Sequence, residues 1–307
     1  MGANKGNEVG HWESQAICHL NDKLLRSAGS FWHDWQAFNP GWLRSPRAAE
    51  FHDEALTTLS NEFGTSRLFA LKDPRICRLS AFWLPILDEF DATPFVILPL
   101  RNPLEVAASL ARRDGFDPSI GHLLWLRHVL DAERATRGRP RVFVSYEGLM
   151  NGWRATIERI QTTLELALPK LPEASAGEIE TFLSEALHHE RATPASVTDD
   201  PGLSNWLRES FTVLDNWARQ GEQAADFAVL DRIGAAFDAA VPAFARPVEI
   251  GRQASTSQRR LEQELSTARN QSAERDARIA GLEREAASGA KELAEIRARL
   301  AQTESAL

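Results

Sequence analysis

Only two cysteines, Cys18 and Cys77, occur in the 307 residues, and neither belongs to a CxxC pair. A zinc cluster or a disulfide framework therefore has no support in the sequence. Long apolar runs are missing too. No stretch of about 18 apolar residues occurs, so no membrane-spanning helix is expected, and the polar amino terminus does not resemble a secretory leader. Positive charge is in deficit, with a formal net charge of -8 and a pI of about 5.6. That balance excludes bulk electrostatic attraction to nucleic acid or an anionic membrane and leaves room only for a local basic pocket. Tyrosine is nearly absent, one residue against nine tryptophans, and composition gives no reason for it. With 43% hydrophobic residues the chain has ordinary material for a core, and a cytoplasmic location is expected.

What the chain does have is an alternation of short apolar runs and helical patterns. Helices are expected at 14–32 and 46–63. After them come strand 67–71, helix 76–89, strand 94–100, helices 103–113 and 119–137, strand 141–145 and helix 149–166. Such alternation argues for an α/β fold with a parallel sheet and right-handed crossovers. Residues 169–177 read as a connection, and 178–190 and 203–244 as covering helices. The expected organisation is an α/β domain over 1–245, a linker at 246–257 and a coiled coil at 258–307.

The last segment differs in kind. Residues 255–307 hold no proline and no aromatic residue, and nine basic side chains balance nine acidic ones. Apolar residues recur at 4–3 spacing through Leu261, Leu265, Ala268, Ile279, Leu282, Ala286, Leu293, Ile296 and Leu300, with breaks at Ser272, Arg275 and Gly289. This is the seam of a coiled coil. Self-association into a homo-oligomer is expected from it, because an isolated polar helix is marginal without a partner.

Two turns carry candidate chemistry. Leu68-Phe69-Ala70-Leu71 runs into Lys72-Asp73-Pro74-Arg75, and Phe95 to Leu100 runs into Arg101-Asn102-Pro103. Each apolar run ends in a cation close to a helix start, which is how parallel α/β sheets build anion sites. Arg101 offers a fork suited to phosphate, and Lys72 could neutralise charge on a transferring group. Asn102, Pro103 and Glu105 read as good helix-start residues. Asp73 is a cap or a metal ligand. With no second carboxylate at useful spacing, the cap is favoured.

In this order, Lys72-Asp73-Pro74-Arg75, Arg101-Asn102-Pro103 with Ser109, and Ser145-Tyr146-Glu147-Gly148-Leu149 resemble the sulfotransferase family, in particular its bacterial branch. Asn4-Lys5-Gly6-Asn7-Glu8, Gly10-His11-Trp12-Glu13, Leu20-Asn21-Asp22, Leu124-Trp125-Leu126 and Trp153-Arg154 fit that branch as well, so the resemblance covers roughly residues 1–215. It implies a three-layer fold, a parallel sheet flanked by helices, that binds 3′-phosphoadenosine-5′-phosphosulfate as co-substrate without a metal. It also implies transfer of the sulfuryl group to a hydroxyl or amine of a small-molecule, carbohydrate or lipid acceptor. By position, Arg101 and Ser109 match the pair on the 3′-phosphate, Tyr146 a residue on the adenine side, and Lys72 the stabiliser of the transferring group. Glu13 matches a general base, with His11 as the competing candidate.

The pattern breaks at one place. The family begins with a strand and a glycine-rich phosphate loop, and no such turn precedes residue 67. The chain is expected to start downstream of that element, through a late-called start or a fragment, with a genuine truncation as the alternative. The first strand of the sheet would then be missing. A non-catalytic interaction module oligomerised by the coil is the second reading. A nucleotide-kinase-like transferase is the third, and the lack of paired carboxylates for magnesium argues against it.

Overall fold

A computed structural model describes residues 13–183 and 192–304. The chain divides into two compact units, Met1–Pro247 and Val248–Leu307. The three-layer parallel sheet expected from the sequence does not form. The described residues are mostly helical, with ten α-helices and a single sheet of two parallel strands.

The amino-terminal part of the first unit is a helical core. Helix α1 (Gln15–Ser27) starts on a Ser14 cap whose side chain accepts from the Ile17 amide at 3.2 Å. Its apolar stripe of Ile17, Leu20 and Leu24 is buried against Phe51, Ala55 and Leu59 of α2 (Pro46–Phe63) and Leu79, Trp83 and Ile86 of α3 (Ile76–Glu89). Residues 67–71 join this core without becoming a strand. Phe69 stacks on Phe63 at 4.3 Å, Leu71 packs against the same cluster and Leu68 is exposed. Here the apolar run serves helix packing, with no ladder partner beside it, and this removes a third strand from the sheet.

The sheet pairs β1 (Val96–Leu100) with β2 (Arg141–Ser145) in parallel, Val96 opposite Arg141 and Leu100 opposite Ser145. Between them run α4 (Pro103–Asp114) and α5 (Pro118–Thr136). Asn102 caps α4 by accepting from the Leu104 amide at 2.9 Å, Pro103 occupies its first turn, and Gly115 ends it in the left-handed conformation. The helices α4 and α5 touch at Gly121, where an added Cβ would lie 2.6 Å from the Ala107 Cα. Strand β2 is covered on one face by Ile157, Ile160 and Leu164 of α6 (Tyr146–Leu164). On the other face Phe143 meets Trp217, 5.1 Å between ring centroids; Trp217 lies beyond α7 (Glu173–Phe182) and α8 (Ala195–Thr198), on α9 (Asn205–Gln220). The Val96 amide donates to the Pro140 carbonyl at 2.9 Å. Backbone groups alternate along a strand, so Val96, Leu98 and Leu100 face β2, and Ile97 and Pro99 face the open edge.

Helix α10 (Phe227–Glu304) contributes Leu230, Ile233 and Phe237 to the first unit's core. Residues 246–257, expected as a linker, are helical, and the division between the units falls among them. In the second unit, the apolar residues of the 4–3 repeat are exposed. No helix among the described residues is long and apolar enough to cross a membrane.

Candidate functional site

A cavity of about 960 Å³ lies along β1, between it and helices α3, α4 and α5. Ile97, Leu98, Val106, Leu110, Leu124 and Phe143 make most of its wall. Its ionic groups are Glu13, Arg75, Arg101, Arg113 and Asp114, and Ser109 adds a hydroxyl. Residues 13, 101 and 109, which come from different elements, therefore line one cavity.

Each is placed by local sequence. Glu13 immediately precedes the α1 cap. Its side chain is 5% exposed and receives the Lys72 ammonium at 2.5 Å. The Cys18 thiol also approaches it, at 3.6 Å. Lys72 is more than half exposed and reaches the site through Glu13. Arg101 ends β1. Its Nε donates to Glu105 Oε2 at 3.0 Å, and its carbonyl accepts from Trp125 Nε1 at 2.9 Å. Its guanidinium stands 4.7 Å from the centroid of Tyr146, the chain's single tyrosine. Such a stack fixes a planar cation over an aromatic face. Tyr146 itself opens onto a smaller cavity of about 380 Å³ shared with Asn102 and Glu105. His11 lies outside the described residues.

The cap expected at Asp73 does not form: the residue ahead of α3 is Arg75, with no side-chain cap hydrogen bond, and Asp73 instead closes the turn before it. Its buried carboxylate accepts from the Arg75 amide at 3.0 Å and pairs with the Arg75 guanidinium at 2.9 Å, while Asn21 donates to its other oxygen at 2.8 Å. Asp22 takes the rest of Arg75 at 2.6 Å. Among the described residues, no group of three or more His, Cys, Asp or Glu is placed to hold a metal ion.

Several participants were not legible in the sequence. Glu105 reads there as a helix-start residue, yet its nearly buried carboxylate holds Arg101 and also accepts from the Ala192 amide at 3.0 Å. Arg113 lies 5.5 Å from the Trp32 ring and pairs with Asp114. His128 and Cys77 line the cavity. Burial, reinforced by the nearby Arg78 guanidinium, pushes the His128 imidazole down to about 4. Its Nδ1–H donates to the Leu124 carbonyl at 2.8 Å. Burial pushes the Cys77 thiol up to about 11 and the Cys18 thiol up to about 12, so neither is a thiolate nucleophile at neutral pH. A proline or a cap can be read from sequence. A side chain that arrives from 20 to 90 residues away leaves no local signal.

The chain matches no family model, no curated protein and no solved structure.

Proposed function

We propose that this chain binds 3′-phosphoadenosine-5′-phosphosulfate and transfers its sulfuryl group to a hydroxyl or amine of a small-molecule, carbohydrate or lipid acceptor. One observation carries the reading: Glu13, Arg101 and Ser109 line a single cavity, with the Tyr146 ring against the Arg101 guanidinium. The fold lends it no support. The cavity volume suits a small ligand, since such sites span about 300–1,000 Å³.

When bound, the donor supplies the sulfuryl group and departs as 3′-phosphoadenosine-5′-phosphate. Arg101 and Ser109 Oγ hold its 3′-phosphate by charge-assisted hydrogen bonds, and Glu105 fixes the orientation of that arginine. Tyr146, to which the resemblance gives the adenine side, opens onto the smaller cavity and acts on the larger one through its stack on Arg101. Glu13 takes the proton of the acceptor hydroxyl or amine as the new bond to sulfur forms, and Lys72 beside it offsets negative charge at the reacting centre. The 5′-phosphosulfate end is less well provided for, because no glycine-rich loop stands among the described residues.

A different observation favours the non-catalytic module. Lys72 pairs with Glu13, Arg75 with Asp73, Arg101 with Glu105 and Arg113 with Asp114. Every one of these cations already has a carboxylate. Calorimetry with 3′-phosphoadenosine-5′-phosphate separates the two readings. Transferase function requires saturable binding that Arg101→Ala weakens at least tenfold. Equal, negligible heats for both proteins would remove the donor site.

A further inference from the structure

We infer that residues 258–304 form a parallel, in-register coiled-coil dimer with a second copy of this chain. The inference stands apart from the transferase reading, since none of its residues belongs to the cavity.

The seam sits on one helical stripe. With Leu265, Ile279, Leu293 and Leu300 at the a positions, Leu261, Leu282 and Ile296 fall at d. These seven side chains are between 52% and 63% exposed on α10. Such a stripe in this repeat is the surface that a partner helix covers. The occupant is then identified by charge. The flanking g and e positions set orientation in coiled coils, and in a parallel pair each g residue meets the e residue five places on in the other helix. That rule puts Glu264 against Arg269, Arg278 against Glu283 and Glu292 against Arg297. Between these, the g residues Gln271 and Glu285 meet Asp276 and Ala290, and the last g residue, Arg299, meets the acidic position 304, so no like-charge pair arises. Symmetry doubles each attraction.

The alternatives do worse. Slipping one copy by a heptad sets Glu264 against Asp276 on one flank and, on the other, Glu264 against Glu262, Glu285 against Glu283 and Arg299 against Arg297, which outnumber the Glu285–Arg297 and Arg278–Asp276 attractions it makes. The antiparallel alignment with the same overlap, Leu261 opposite Leu300, also makes three opposite-charge pairs, Glu262–Arg297, Glu264–Arg299 and Arg278–Glu285, but sets Asp276 against Glu283 twice at its centre, a repulsion that the parallel register lacks. The segment's neutral balance of nine charges of each sign adds no net repulsion between copies. Within one helix Arg260 pairs with Glu264 at 2.8 Å, so Arg269 of the other copy would share that carboxylate with Arg260. Ser272, Arg275 and Gly289 are the weak layers. In register each meets its own kind, and Arg275 can lean toward Asp276 of the other copy.

The test uses the full chain. Sedimentation equilibrium should give twice the chain mass, and oxidised Ala268→Cys should cross-link to itself, above the background that wild type sets with Cys18 and Cys77. A monomer, a higher oligomer, or cross-linking that appears only when Ala268→Cys is mixed with Leu293→Cys, the antiparallel contact, would overturn the proposal. Glu264→Arg should weaken the dimer by roughly 3- to 10-fold, as expected for lost and reversed flanking pairs, and Glu264→Arg with Arg269→Glu should restore it. Failure of that restoration would sink the assigned register.

Discussion

The Glu13 carboxylate and the Lys72 ammonium stand 2.5 Å apart, tying the approach to α1 to the segment that precedes α3. One partner is nearly buried and the other is more than half exposed, so removing the negative charge leaves a lysine that water can still solvate. Glu13→Gln should therefore fold normally. If Glu13 is the base, the variant forms 3′-phosphoadenosine-5′-phosphate from the donor about 10²- to 10⁴-fold more slowly, with product affinity unchanged in calorimetry. Turnover within threefold of wild type would take the base role away from Glu13.

His128 makes stability depend on pH. Its imidazole is held down to about 4 in the fold, from an ordinary value of 6.5. A depressed histidine favours the native state while it is neutral. That stability is complete above about 6.5 and is lost as the pH falls toward 4, because the unfolded chain binds the proton first. The shift is worth up to about 3 kcal/mol. Urea denaturation at pH 7 and pH 4.5 should show wild type losing more stability than His128→Gln; equal losses would mean that the imidazole titrates normally.

Glu133 is 1% exposed and sits between two arginines. It takes Arg137 at 2.7 Å and Arg141, itself 3% exposed, at 3.0 Å. Arg141 extends the network to Glu222 at 2.7 Å, and Arg137 reaches Asp231 at 2.9 Å. Truncating one member of such a network strands the opposite charges, at about 3–5 kcal/mol. Glu133→Ala should lose that much in guanidinium denaturation. A loss below 1 kcal/mol would show that Arg137 and Arg141 find water instead.

The α4–α5 contact gives a further measurement. At Gly121 a methyl group would meet backbone, Ala107 Cα at 2.6 Å, whereas at Gly281 nothing lies within 4 Å of an added Cβ. Gly121→Ala should destabilise by about 1–3 kcal/mol and displace the helix that carries Ser109. Gly281→Ala should be neutral or stabilising by up to about 1 kcal/mol. Thermal melts of the two variants check the pair, and similar melting points for both would contradict the close approach.

How much of this could be read from the residues depends on whether the signal is local. Strand 141–145, the Asn102-Pro103 start of α4 and the 46–63 helix are written in caps and apolar spacing, and they lie where expected. Residues 67–71 and 94–100 look alike in sequence, yet only the second finds a ladder partner, while Phe69 goes to Phe63. Pairing is a tertiary outcome, and with it went the three-layer sheet. In the site, Arg101 announced itself at a strand end. Trp32, Arg113 and His128 did not, because they matter through partners that only the folded chain brings near; Glu105, though only four residues from Arg101, reads as a helix-start residue.

Pro99 has one more consequence. Its backbone faces the open edge of β1, where a neighbouring strand would look for donors, and proline has none to give. Over the five residues of that edge only the Ile97 amide is offered outward. Edge strands are templates on which misfolded or foreign chains grow; here the Ile97 and Pro99 carbonyls still face outward, but one of the two donors a neighbour would use is gone. A strand added to this edge would forgo the ladder hydrogen bond that Pro99 cannot give, which disfavours extension of the two-stranded sheet on that side.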